Sequence, residues 1–214
     1  MELLRHSEAD GCARRAAALM ADPDLVHLAL AGGSTPQRAY ELLGGLRSDW
    51  GGVHLWYGDE RCVPEGSEDA NHTMASRALD APGATWHRIR GELGPDEAAA
   101  AYARELAGVT LELTLLGMGE DGHTASLFPG NPALDLDGIA VGVRGAPKPP
   151  GERVSLSLDF LNASARIVLL VAGEGKRDAL ARVLVGPDPD VPVSLLERAR
   201  LTVIADAAAL GEIA

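Results

Sequence analysis

His123 closes the run Gly117-Met118-Gly119-Glu120-Asp121-Gly122-His123, with Asp121 two residues before it. An imidazole titrates near operating pH, and a neighbouring carboxylate can orient the ring and stabilise the imidazolium that forms, so the pair offers general-base chemistry. Gly32-Gly33-Ser34-Thr35-Pro36 offers a different service. Two glycines let backbone N–H groups face outward, Ser34 or Thr35 is placed to cap a helix, and Pro36 suits its first position. Exposed N–H groups at a helix N-terminus make an anion site. Gly58-Asp59-Glu60-Arg61 brings two carboxylates and a guanidinium, with Arg61 as a fork for phosphate and Asp59 to position its neighbours. Lys148 stands between Pro147 and Pro149, a stiff backbone that delivers an ammonium to a fixed place. The other histidines, His6, His27, His54, His72 and His87, fall within strands or beside helices and read as satisfied or surface side chains.

Several familiar chemistries are excluded by the same residues. The Gly32–Pro36 loop lacks the Gly-Lys-Ser/Thr ending of a nucleotide-binding P-loop, and it fails the Gly-x-Ser-x-Gly pattern of a serine nucleophile. Gly117–Gly122 matches Gly-x-Gly-x-x-Gly letter for letter. A dinucleotide site, however, needs a long helix starting at that loop, and Pro129, Gly130 and Pro132 allow at most about two turns. Glu120 and Asp121 would also place negative charge where a pyrophosphate must sit. No cluster of metal-ligand spacing is present, so no metal is expected.

Positioning these loops falls to alternating elements. Strands are expected at Leu25–Ala31, Val53–Tyr57, near Trp86–Ile89, at Leu111–Leu116, Ile139–Arg144, Arg153–Leu158, Ile167–Ala172 and Leu201–Ala205. Helices are expected at Ser7–Ala21, Gln37–Leu46, about Ala70–Leu79, Pro95–Leu106, Lys176–Val185 and near Ser194–Arg198. This alternation predicts an α/β fold, a mostly parallel sheet with helices on both faces. Nothing divides the chain, so residues 1–214 are expected to form a single domain. Ligands of such sheets sit at the carboxyl ends of the strands, which selects loops 32–36, 58–61 and 117–123.

Composition narrows the partners. Nineteen basic against thirty-one acidic residues give a net charge of −12, a field that repels nucleic acid and anionic membranes. An anionic ligand must therefore be held by a few placed donors. Arginine supplies nearly all the positive charge, Lys148 and Lys176 being the only lysines. No apolar run approaches the length of a membrane helix, no signal-peptide core follows the N-terminus, and Cys12 and Cys62 fit a reducing compartment. A cytoplasmic location is expected.

The segments together resemble the 6-phosphogluconolactonase family. The matching stretches are Leu28–Pro36, Trp56–Pro64, the thirteen residues Gly117–Pro129 and, more loosely, Pro147–Leu156, in the family's order along nearly the whole chain. One departure is Ala70-Asn71-His72, where members often have Ser-Asn; Asn71 is retained. The resemblance implies hydrolysis of 6-phospho-D-glucono-1,5-lactone to 6-phosphogluconate, the second step of the oxidative pentose phosphate pathway. It also implies a Rossmann-like sheet shared with glucosamine-6-phosphate deaminases and ribose-5-phosphate isomerases, and no required cofactor. On that reading His123 activates water and Asp121 orients the imidazole ring. The substrate-binding set is Gly32, Gly33, Ser34, Thr35, Asp59, Arg61, Lys148 and Arg153. Arg61, with Lys148 or Arg153, holds the 6-phosphate, and Lys176 is the reserve candidate. The expected partner is a sugar-phosphate lactone, met by a monomer or weak homodimer. Two rivals are weaker. The related deaminases carry a Glu five residues after the histidine, where this chain has Phe128, which cannot move a proton. A sugar-phosphate-sensing regulator would have no use for an intact Asp-Gly-His loop.

Overall fold

The computed structural model describes residues 1–211. The elements run β1 (Glu2–His6), α1 (Ala9–Met20), β2 (His27–Leu30), α2 (Ser34–Leu43), β3 (His54–Tyr57), β4 (Asp59–Arg61), α3 (Asn71–Ala78), β5 (Thr85–Trp86) and α4 (Pro95–Glu105). They continue with β6 (Leu113–Gly117), β7 (Ala140–Val143), β8 (Arg153–Leu156), α5 (Leu158–Ala163), β9 (Arg166–Val171), α6 (Arg177–Val185), β10 (Leu201–Asp206) and α7 (Ala207–Leu210). Seven strands form one wholly parallel sheet in the order β1-β10-β9-β6-β2-β3-β5. Consecutive residues of β2, β6 and β9 are buried, so both faces of the sheet are covered, as the run of apolar residues in each strand requires. Leu28, Leu30, Leu113, Leu115, Ile167 and Leu169 are fully buried there. Each contributes ~1.5–3 kcal/mol by leaving water.

Strand order reverses between β2 and β6: the chain steps outward from β2 to β3 and β5, and the other way from β6 to β9 and β10. A crevice opens at the carboxyl ends of strands where such a reversal occurs. The loops leaving β2 and β6 are Gly32–Pro36 and Met118–His123. Two buried tyrosines hold the ends of this sheet where ladder partners run out. The Tyr40 hydroxyl accepts from the Ala31 N–H and donates to its C=O, both at 2.8 Å. The Tyr102 hydroxyl serves Tyr57 in the same way, at 2.7 and 3.1 Å.

Several features differ from the sequence expectation. The strands at 140–143 and 153–156 do not join the parallel sheet; β8 lies antiparallel between β7 and β4 in a second, three-stranded sheet. Asp59–Arg61, expected as loop, is therefore an edge strand of that sheet. Periodicity marks strands without revealing their partners, and three residues are too few to show any period. Likewise β1 pairs with β10 from the far end of the chain, Glu2 opposite Thr202, and its mixed polarity gave no strand pattern. The segment near 194–198 forms two 3₁₀ turns, Pro192–Leu195 and Arg198–Arg200, instead of a helix. Finally α2 begins at Ser34 with Gly33 as its N-cap and no side-chain cap, so neither Ser34 nor Thr35 caps it and Pro36 is its third residue.

At the amino-terminal end of the sheet the histidines expected to be satisfied form a stack. Trp56 Nε1 donates to His27 Nδ1 at 3.1 Å, and His54 Nδ1 lies 2.8 Å from His87 Nε2. His87 lies flat on Trp56, centroids 3.7 Å apart. Burial, then mutual repulsion with His54, depresses the pKa of both His27 and His87 below the ordinary 6.5. With a depressed native value, the unfolded chain takes up these protons first as pH falls through 6.5, and stability is lost in that direction. Wild type should lose stability below pH ~6.5 more steeply than His87→Phe, which keeps the stack on Trp56. Denaturant unfolding at a series of pH values measures this, and parallel curves would mean that His87 titrates normally.

Candidate active site

Every site residue expected from the sequence lines one cavity of about 530 Å³ at the carboxyl ends of the strands. Gly32, Gly33, Ser34 and Thr35 from the loop after β2, Asp121 and His123 from the loop after β6, and Asp59, Arg61, Lys148, Arg153 and Lys176 all line it, together with Asn71, Glu120 and Phe128. The N–H groups of Gly33, Ser34 and Thr35 donate to nothing among the described residues, since the first bond of the helix is Gln37 N–H to Gly33 C=O. Pro36 has no N–H, so the free donors of this helix end are concentrated on the three residues before it.

His123 sits in a turn built by glycine. Asp121 Oδ1 takes the ring Nδ1 at 2.5 Å and the His123 backbone N–H at 3.1 Å. A proton on Nδ1 leaves Nε2 as the acceptor. Burial works to raise the Asp121 carboxyl, but the His123 N–H, charge and ring outweigh it and hold it low. A Cβ on Gly119 would come within 2.1 Å of His123 Nδ1 and 2.4 Å of Asp121 Oδ1, so only glycine admits the ring here. Gly122 has φ +81° and faces Val191, and the Val193 N–H donates to its carbonyl at 3.0 Å. Phe128 lies 4.5 Å from the imidazole, centroid to centroid. No helix follows the loop: a turn closed by Leu127 N–H to Thr124 C=O leads on to Pro129.

The basic groups differ in freedom. Lys148 is exposed at the cavity mouth. Arg153 is only 7% exposed; its Nε donates to Pro150 C=O and its Nη2 to Lys148 C=O, at 3.1 and 3.0 Å, while its guanidinium lies over Phe128. Burial pulls its pKa down, against the attraction of Asp59. Arg61 Nη1 donates to Asp69 C=O at 2.6 Å, and its buried Nε has no partner among the described residues.

The roles of three residues, Glu60, Asn71 and Ser126, escape sequence reading. Glu60 points away from the cavity and accepts the N–H groups of Asn71, His72 and Arg61 at 2.6, 2.8 and 2.8 Å, capping α3 from a distance. Burial pushes its pKa up to about 7 against those three bonds. The one available signal is that Ala70 stands at the N-cap, where a polar residue is usual, so the cap must come from elsewhere. Asn71 donates from Nδ2 to the carbonyl and carboxylate of Asp59, and Ser126 Oγ donates to the other Asp59 oxygen at 2.6 Å. Asp59, 6% exposed, thus joins α3 to the loop that carries His123.

Residues 1–205 match the family model described as glucosamine-6-phosphate isomerases/6-phosphogluconolactonase. The chain is 40% identical over 158 residues to a 6-phosphogluconolactonase of Streptomyces coelicolor, a match covering 64% of this chain but only 60% of that protein. It is 34% identical over 179 residues to that of Haemophilus influenzae, covering 78% and 77%. Among solved structures, the 6-phosphogluconolactonase of Thermotoga maritima superimposes with a TM-score of 0.83 at 27% identity, over 96% of this chain and 98% of that one.

Proposed function

The chain belongs to the glucosamine-6-phosphate isomerase/6-phosphogluconolactonase family, and within it we propose that it hydrolyses 6-phospho-D-glucono-1,5-lactone to 6-phosphogluconate. Neutral His123 takes a proton at Nε2 from the water that attacks C1. As the new C1–O bond forms, the carbonyl electrons move to oxygen. That oxyanion meets the free N–H groups of Gly33–Thr35 or a basic side chain. Collapse breaks the bond between C1 and the ring oxygen, and the imidazolium returns its proton to the departing oxygen. Asp121 holds the ring and its positive charge through the cycle. General-base help of this kind is worth ~10²–10⁴-fold, and an activated ester asks for little more.

The observation that carries this reading is the pairing of Asp121 with His123 Nδ1, which leaves Nε2 as an acceptor in a cavity that also holds Arg61, Lys148, Lys176 and the free N–H groups of Gly33–Thr35. Deamination is disfavoured because Phe128, not a carboxylic acid, packs on the imidazole. The reading places the reaction in the cytoplasm, in a monomer or weak homodimer, with no cofactor, nucleic acid or membrane partner. Among the described residues no helix is long and apolar enough to cross a membrane, and no three His, Cys, Asp or Glu side chains gather as metal ligands. Purified protein should accelerate loss of the phosphorylated lactone well above its spontaneous hydrolysis, equally with and without EDTA. A rate at background, or one that EDTA abolishes and a divalent ion restores, would overturn the proposal.

A further inference from the structure

We infer that Asn71 determines specificity, its Oδ1 accepting a hydrogen bond from a ring hydroxyl of the sugar-phosphate lactone. The inference rests on the proposed reaction for its substrate class, but it comes from a separate part of the cavity. Asn71 is 2% exposed, and a carboxamide that deeply placed is costly unless its polar atoms are satisfied. One end is accounted for: Nδ2 donates to Asp59 C=O at 2.9 Å and to Asp59 Oδ1 at 3.1 Å. Both partners are acceptors, so the amide can be oriented only one way. Oδ1 is thereby turned to the opposite side, against Gly32, where a Cβ would come within 2.1 Å of it. Glycine at 32 thus leaves room for the carboxamide. Oδ1 accepts no hydrogen bond from any described residue, and Asn71 is part of the cavity wall.

The position is fixed before any ligand arrives. Glu60 grips the Asn71 N–H, Asp59 grips the side chain, and Ser126 grips Asp59. This stretch of wall offers the oxygens of Asn71 and Asp59. Such a surface repels a phosphate and attracts a hydroxyl donor. With phosphate drawn to the basic side chains and the carbonyl to His123, the acceptor wall is left to the hydroxyl groups between them.

The test uses 6-phosphogluconolactone and its 2-, 3- and 4-deoxy counterparts. Wild type should lose ~10- to 100-fold in kcat/KM on one of the deoxy lactones, the cost of leaving a built acceptor unpaired. Asn71→Ala should abolish that discrimination. Asn71→Asp, which keeps an oxygen toward the cavity but sets a carboxylate against Asp59, should retain it at a lower overall rate. A residue that merely packs would slow every lactone alike, and an unchanged ratio in Asn71→Ala overturns the inference. So does a wild type indifferent to all three deletions, a result that needs no variant to fold. Calorimetric binding of 6-phosphogluconate and the corresponding deoxy acids reads the same ratio without turnover. A protein that binds with hydroxyl selectivity but does not hydrolyse therefore sinks the proposed reaction and not this inference.

Discussion

Replacing His123 with Asn should lower kcat by ~10²-fold or more, with KM and unfolding stability close to wild type. An Asn side chain can still meet Asp121 and fill much of the space beside Phe128. It cannot take a proton from water at neutral pH. The split between kcat and KM follows from where the ring sits. Its Nδ1 is spent on Asp121; in the proposed reaction its Nε2 is engaged only as water attacks, so ground-state binding of the lactone should lose little. Stability should hold because the turn is kept by backbone bonds that the substitution leaves intact, Gly119 N–H to His123 C=O at 2.8 Å and Val193 N–H to Gly122 C=O at 3.0 Å. Rates must be corrected for spontaneous hydrolysis, which is appreciable for such an ester. A variant retaining most of the wild-type rate would remove His123 from the reaction, and the free N–H groups of the α2 end would have to act on the carbonyl without a base.

What the sequence made legible here divides along a physical line. Local patterns carried the strand–loop–helix alternation, because a buried parallel strand is a run such as Ile167–Val171 that no other element needs. They also carried the Asp121–His123 pair, whose geometry depends on two residues of separation and glycines at 119 and 122. What required three dimensions was partnership. Asp59–Arg61 reads as a charged turn until β8 is laid beside it. Then Asp59 and Glu60, adjacent in sequence, turn to opposite tasks, one at the cavity wall and one at the end of α3. In the sequence Asn71 shows only as a retained position; the setting of its carboxamide depends on Gly32 and Asp59, thirty-nine and twelve residues away. Arg153 shows the same limit. Its charge suggested a ligand for phosphate, whereas its Nε and Nη2 are occupied by the carbonyls of Pro150 and Lys148. It builds the loop that presents Lys148, and only the rest of its guanidinium can face a ligand.

That difference sets the second large effect. Arg61→Ala should raise KM for the phosphorylated lactone ~10- to 100-fold with little change in kcat, since a charge-assisted bond is worth ~1.5–3 kcal/mol. Lys148→Ala and Lys176→Ala should act in the same direction, less strongly, each lining the cavity with an ammonium on a long flexible stem that offers no bidentate fork. A protein with a net charge of −12 has no favourable mean field for a dianion, so these local donors must supply the attraction. Arg153→Ala is expected to behave otherwise: it uncouples Pro150 and Lys148 as well as removing charge, so KM should rise together with a loss of thermal stability that Arg61→Ala does not show. Unphosphorylated gluconolactone supplies the control. It offers these groups no phosphate to hold, so it should be a poor substrate for wild type and nearly indifferent to Arg61→Ala, Lys148→Ala and Lys176→Ala. Steady-state kinetics on both lactones, with thermal unfolding of each variant, separates the cases. Equal losses on the two lactones would mean that Arg61 serves the reacting carbonyl or the fold, and the oxyanion, not the phosphate, would then be the charge it meets.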